Sequence, residues 1–144
     1  MMKINLKYEA TPENAKLFAA DIVAATQDIS GILLDYSPQG VQAVDDIIEN
    51  LRSGDSSMED LATTLFEFGC YLGEVFVRNH GAIWKVSSET SFQGMTSMPL
   101  LIEMPNGGIG NPIGKVFKQF DNGEEDSISY FYDVFRSRED PQGQ

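Results

Sequence analysis

The chain is poor in the residues from which reactive centres are usually built. Its 144 residues include a single cysteine, Cys70, a single histidine, His80, and a single tryptophan, Trp84. One thiol excludes a disulfide within the chain. One histidine and one cysteine cannot supply the three or four nitrogen and sulfur ligands of a zinc-type site, so no such metal is expected and no cofactor is indicated. Positive charge is also scarce: 10 Lys and Arg stand against 22 Asp and Glu, a net charge of −12. The resulting field repels nucleic-acid phosphates and anionic lipid heads, so neither is an expected partner, whereas a basic protein would be drawn in. Solubility alone also accounts for an acid excess of this kind. No apolar run approaches the roughly 20 residues of a membrane-spanning helix. The opening MMKINLKYEA has no apolar signal-peptide core, which leads us to expect a cytoplasmic protein.

What is present is enough for a core. The hydrophobic fraction is 42%, with nine phenylalanines, which argues for a folded chain despite the charge. The length suits one domain over 1–144, with 1–10 and 138–144 expected as loosely ordered ends. Residues 3–8 alternate and predict a short edge strand. Thr11-Pro12 reads as an N-cap followed by proline at the first helical position, opening a helix that runs to about 28. Ser37-Pro38 repeats the device before an apolar stripe of Val41, Val44, Ile47, Ile48 and Leu51, which Gly54 is expected to end. A capping box at Ser56 and Glu59 predicts a third helix carrying Leu61, Leu65, Phe68, Leu72, Val75 and Phe76, closed by Gly81 as a left-handed cap. Gly69 and Gly73 lie four apart on that helix, a notch for Trp84 or a crossing helix. Strands are expected over 82–88 and 97–104, with Pro99 confining the second to an edge or a bulged start. The stretch 105–112, PNGGIGNP, reads as a glycine-rich loop. Helical spacing returns at Ile113, Val116, Phe117 and Phe120, stops at Asp121-Asn122-Gly123, and resumes after the acidic start Glu124 to Asp126. This order predicts an α+β fold, helix-rich, with a small antiparallel sheet after the third helix.

Few constellations carry chemistry. Cys70 and His80 are ten residues apart on one helix, about 15 Å of rise, too far for a catalytic pair. GGIGNPIGK approaches a phosphate-binding loop at Gly114-Lys115. Val116 replaces the magnesium-binding hydroxyl and Pro112 removes a cradling N–H, so a structural turn is the better reading. Glu74 and Arg78 form an i,i+4 pair beside His80 and Trp84, a combination that suits capping and pairing, or else a polar ligand site.

Three blocks, LDYSPQGVQAVDDIIENLR (34–52), FGCYLGEVFVRNHGAIW (68–84) and NPIGKVFKQFDNGEEDSISYFYDVF (111–135), resemble a bacterial family of domains of unknown function. The matching residues include Asp35, Tyr36, Gly69, Gly73, Glu74, His80, Gly81, Trp84, Pro112, Lys115, Lys118 and Gly123. The resemblance implies a small cytoplasmic bacterial α+β protein and brings no activity with it. Two function classes therefore stand side by side. One is a non-catalytic interaction module, immunity- or adaptor-like, whose acidic helix faces (Asp45, Asp46, Glu49, Glu124, Glu125 and Asp133) meet a basic partner. The other is a ligand-binding or hydrolase-like protein with a cleft formed by Glu74, Arg78, His80, Trp84 and Lys115.

Overall fold

Thr11-Pro12 and Ser37-Pro38 open helices because a hydroxyl can accept an early N–H while proline supplies helical φ where no donor is missed. In the computed structural model, which describes residues 4–137, Thr11 Oγ1 accepts from the Asn14 N–H at 3.2 Å and Ser37 Oγ from the Gly40 N–H at 3.2 Å. The first caps a 3-10 turn, Pro12–Asn14, that leads into helix α1, Ala15–Ser30. The second starts α2, Pro38–Arg52. Ser53, in right-handed conformation, is the residue that closes α2, so Gly54 is not its cap. Helix α3 spans Ala62–His80. The capping box expected at Ser56 and Glu59 does not form: α3 starts after Leu61 with no side-chain cap, and a reciprocal pair one residue further on lies in the turn before the helix. Ser57 N donates to Asp60 Oδ2 at 3.2 Å, and Asp60 N to Ser57 Oγ at 3.1 Å.

Helix α3 is the centre of the molecule. Every residue from Phe68 to Phe76 is buried, those between the periodic apolar positions included. A helix buried all round needs neighbours on every side; α1, α4 and the first strand pack on it. The two glycines make this closeness physically possible. A Cβ at Gly69 would lie 2.5 Å from Ile113 Cα of the fourth helix, and one at Gly73 would lie 2.1 Å from Trp84 Cζ2. At the end of α3, Gly81 takes φ 74°, and the Ala82 N–H returns to the Phe76 carbonyl at 3.3 Å. The chain then doubles back directly into a strand, which brings Trp84 over Gly73.

The sheet has three antiparallel strands, β1 (Ile83–Val86), β2 (Leu100–Glu103) and β3 (Ile109–Gly110), in the order β1-β2-β3. Trp84 pairs with Ile102, which pairs in turn with Gly110. The strand after Pro99 is thus the central one, not an edge. Pro99 sits just outside it, where its missing N–H costs no ladder bond and its carbonyl accepts from Ser87 N at 2.9 Å. The glycine-rich 105–112 is not all loop either: Gly107, at φ 90°, turns the chain so that Met104 and Gly108 pair and β3 forms.

Asn111 caps helix α4, Pro112–Asn122, accepting from Gly114 N at 2.9 Å. Glu124–Asp126 form a separate 3-10 turn rather than the start of the last helix. Ser127 caps that helix, α5, Ile128–Arg136. The fold is α+β, with the small sheet placed after the third helix. Residues 4–8 form no strand. Their alternating side chains, Ile4, Leu6 and Tyr8, pack on the helical core, and Tyr8 OH donates to Asp21 Oδ2 at 2.8 Å. Alternation here marks a segment lying over the core, with no free strand to pair. The remainder of the two expected loose ends, 1–3 and 138–144, lies outside the described residues.

Candidate functional site

The Glu74 cluster is built on α3 by helical spacing and the turn at Gly81. Glu74 is buried, 6% exposed. Its Oε2 accepts the Trp84 indole N–H at 2.9 Å, and its Oε1 faces Arg78 Nε at 3.6 Å. The Arg78 guanidinium in turn lies over the Tyr36 ring, 3.5 Å from its centroid. Tyr36 is the only described non-glycine residue with positive φ, 66°. Its conformation is held from α3: Tyr36 N donates to Tyr71 OH at 2.8 Å, and Asn79 Nδ2 donates to Tyr36 O at 2.8 Å. Gly40 is part of the same clamp, because a Cβ there would meet the Tyr71 hydroxyl at 2.1 Å. A connected line of contacts thus runs from Trp84 through Glu74 and Arg78 to Tyr36. It fastens the turn at 35–37 and strand β1 to one helix.

The other two residues of the expected cleft lie elsewhere. His80 Nε2 is 2.8 Å from Tyr132 OH of α5. Lys115 of α4 lines a separate cavity beneath α5, while Glu74 and Trp84 line an open groove together with Pro12, Lys16 and Ile83. The structure brings Glu74, Arg78 and Trp84 together and does not bring His80 or Lys115 to them.

The acidic residues divide in the same way. Asp46, Glu124, Glu125 and Asp133 are exposed, and Asp121 of α4 joins them. Asp45 does not belong to that surface. It is 1% exposed, with its carboxylate accepting from Gln119 Nε2 at 2.9 Å, Ser127 Oγ at 2.6 Å and Ser129 N at 3.1 Å. Glu49 is half-buried, receiving Gln119 Nε2 at 2.9 Å and Arg52 Nη1 at 3.3 Å. Helical periodicity places Asp45 beside Val41, Val44 and Ile48, on the face that turns inward. The adjacent Asp46 masks that signal, since two consecutive acids read as a solvated pair.

Away from these clusters, burial strongly shifts two titratable groups. Burial pushes the Cys70 thiol far above its ordinary value, with the Glu67 and Glu74 carboxylates adding to the effect, so the thiol stays protonated and unreactive. Burial, assisted by the charge of Asp21, raises Glu67 from 4.5 to about 6. The folded state therefore holds this proton more tightly than the unfolded chain. The group imposes no penalty below about pH 4.5, where both states are protonated, and its penalty grows as pH rises to about 6. Glu67→Gln should raise stability near pH 7.5 by about 1 kcal/mol, a figure reduced for its half-exposed position, and leave stability near pH 4 unchanged. Thermal melts at the two pH values check this.

Among the described residues, no three His, Cys, Asp or Glu side chains converge as metal ligands, and no helix is long and apolar enough to cross a membrane. Comparison of the chain with protein-family models, with curated proteins and with solved structures gives no match, so the geometry above is what carries any reading of function.

Proposed function

We propose that the protein is a cytoplasmic, non-catalytic interaction module, adaptor- or immunity-like, that presents an acidic face to a basic protein partner. The observation that carries this reading is the excess of exposed carboxylates over cations where α2, α4 and α5 pack together. Asp46, Asp121, Glu124, Glu125 and Asp133 face solvent there. Of the four cations on those helices, Arg52 pairs with Glu49 and Arg136 with Asp133, leaving Lys115 and Lys118 against the excess. The polar groups able to do chemistry are engaged internally instead, as Glu74 is with Trp84 and His80 with Tyr132. The three-block resemblance to a bacterial family fits this reading without adding an activity to it.

An acidic face acts chiefly on encounter. Its long-range field speeds association with a positive surface and is screened beyond about 8 Å at physiological ionic strength. The test is retention of proteins from a bacterial lysate on immobilised wild type and on the triple variant Asp46→Asn/Glu124→Gln/Asp133→Asn. A basic protein retained at stoichiometric level by the wild type, released by moderate salt and lost by the triple variant is the expected result. Its association rate should fall about tenfold between low and physiological salt. Equal retention by both proteins, or association indifferent to salt, would overturn the acidic-face reading. The fold should survive the triple change, because exposed substitutions stay within roughly 0.5 kcal/mol.

A further inference from the structure

The cavity that contains Lys115 has features the acidic-face reading does not use. It measures about 490 Å³ and opens between β3, the start of α4 and the side of α5. That is the size of a small-molecule site, about 300–1,000 Å³. Four aromatic rings wall it: Phe92 from the loop after β1, and Tyr130, Phe131 and Phe135 from α5. Phe131 and Phe135 stack at 5.4 Å with an interplanar angle of 12°, while Tyr130 is 71% exposed at the mouth. Gly110 in β3 makes room for this wall, since a Cβ there would lie 2.7 Å from the Phe135 ring.

Charge in the cavity is mixed, and among the described residues none of it is ion-paired. Lys115 is half-buried, with its ammonium 5.5 Å from the centre of the Phe131 ring, and it forms no ion pair with any described residue. Glu125 and Asp126 line the same space from the 3-10 turn before α5. Asp126 accepts from Asn122 Nδ2 at 2.6 Å, and Glu125 is exposed. One cation and two carboxylates therefore border one aromatic cavity without neutralising each other.

That arrangement selects among ligands. A simple aromatic anion would pair with Lys115 but face two uncompensated carboxylates. An aromatic amine would satisfy the carboxylates and leave its charge near the ammonium. Polyanions such as phosphates gain one cation and meet a repulsive rim and a net charge of −12. A zwitterion with a flat apolar body answers every feature at once. We infer that this cavity is a binding site for a free aromatic α-amino acid. Its carboxylate is held by Lys115, its ammonium by Glu125 and Asp126, and its ring lies among Phe92, Tyr130, Phe131 and Phe135.

The inference is independent of the acidic-face reading, whose triple variant leaves Glu125 intact. The test is a titration of the full chain with L-phenylalanine, phenethylamine and 3-phenylpropionate, followed by amide nitrogen–proton correlation spectra. Phenylalanine should produce saturable shifts centred on residues 92, 110, 115 and 130–135. Each analogue, lacking one charge, should bind about tenfold more weakly. Lys115→Gln should weaken phenylalanine about tenfold and leave phenethylamine as tight or tighter; Glu125→Gln should weaken phenylalanine while improving 3-phenylpropionate. Both side chains are partly or fully solvent-exposed, and an unchanged spectrum elsewhere will show that each variant is folded. Absence of saturable shifts with phenylalanine, equal binding of either analogue, or indifference to Lys115→Gln would overturn the assignment.

Discussion

Gly73→Leu is expected to destabilise the protein by about 3 kcal/mol, and the gentler Gly69→Ala and Gly73→Ala changes by about 2 kcal/mol each. The alanine variants are the sharper test because two effects of opposite sign compete. Alanine in place of glycine in a helix interior ordinarily stabilises by about 1 kcal/mol through propensity. Here the new Cβ has nowhere to go. At Gly69 the obstacle is backbone, Ile113 Cα at 2.5 Å, so the whole of α4 would have to move away from α3. At Gly73 the obstacle is the Trp84 ring at 2.1 Å, and that ring is fixed by its bond to Glu74 and by its place in β1. Moving either neighbour breaks contacts elsewhere in a close-packed interior, so packing decides the sign. Urea unfolding of the three variants checks this. Alanine variants as stable as the wild type, or more so, would show that the approach of α4 and Trp84 to α3 is looser than described.

The helices were legible in the sequence wherever a local signal and the apolar period agreed. Thr11-Pro12, Ser37-Pro38 and Gly81 each mark an element boundary, and the structure uses all three. The glycine pair on α3 was legible too, because glycine at that spacing in an otherwise apolar helix has few purposes besides close approach. Several of the misreadings share a physical origin, dependence on a partner distant in sequence. Residues 4–8 alternate as a strand would, yet strand formation needs a neighbouring edge, and this segment lies on helices instead. Pro99 forbids a central strand only if it stands inside the ladder, and it stands one residue before β2. Strand β3 is two residues long and half glycine, too short for any period to show.

The site was legible only in part for the same reason. Glu74 and Arg78 are joined by helical spacing, and Trp84 reaches them because the turn at Gly81 folds β1 back, so that much follows from local sequence. Residue chemistry alone groups His80 and Lys115 with them, and tertiary packing sends each to α5 instead. The strained Tyr36 gave no sign, since a positive φ at a tyrosine is imposed by Tyr71, Arg78 and Asn79 from another helix. The type of Asp45 and its acidic neighbour both point to solvent. Its position in the apolar stripe of α2 argued the other way, and position prevailed.

Asp45→Ala is expected to cost about 3 kcal/mol or more, an unusual loss for a residue whose type suggests a surface. The carboxylate gathers three donors from two elements far along the chain: Gln119 of α4, and the hydroxyl of Ser127 and the N–H of Ser129 at the start of α5. Hydrogen bonds to a charged acceptor contribute about 1.5–3 kcal/mol each, and removing the acceptor leaves the buried donors facing an apolar methyl group. Gln119 cannot adapt by turning over. Its Oε1 already accepts from Ile128 N at 2.9 Å while its Nε2 also bonds Glu49, so reversing the amide would set donor against donor and oxygen against carboxylate. For the same reason Asp45→Asn should recover only part of the loss. Its single oxygen can serve Ser127 and Ser129, but its amide then opposes Gln119 Nε2. The order expected in chemical denaturation is wild type, then Asn at about 2 kcal/mol below it, then Ala. Faster amide exchange at Ile128 and Ser129 should accompany the loss, because Asp45 and Gln119 are what tie the first turn of α5 to α2 and α4. An alanine variant within 1 kcal/mol of the wild type would mean that water reaches these donors and that apolar packing alone holds α5 in place.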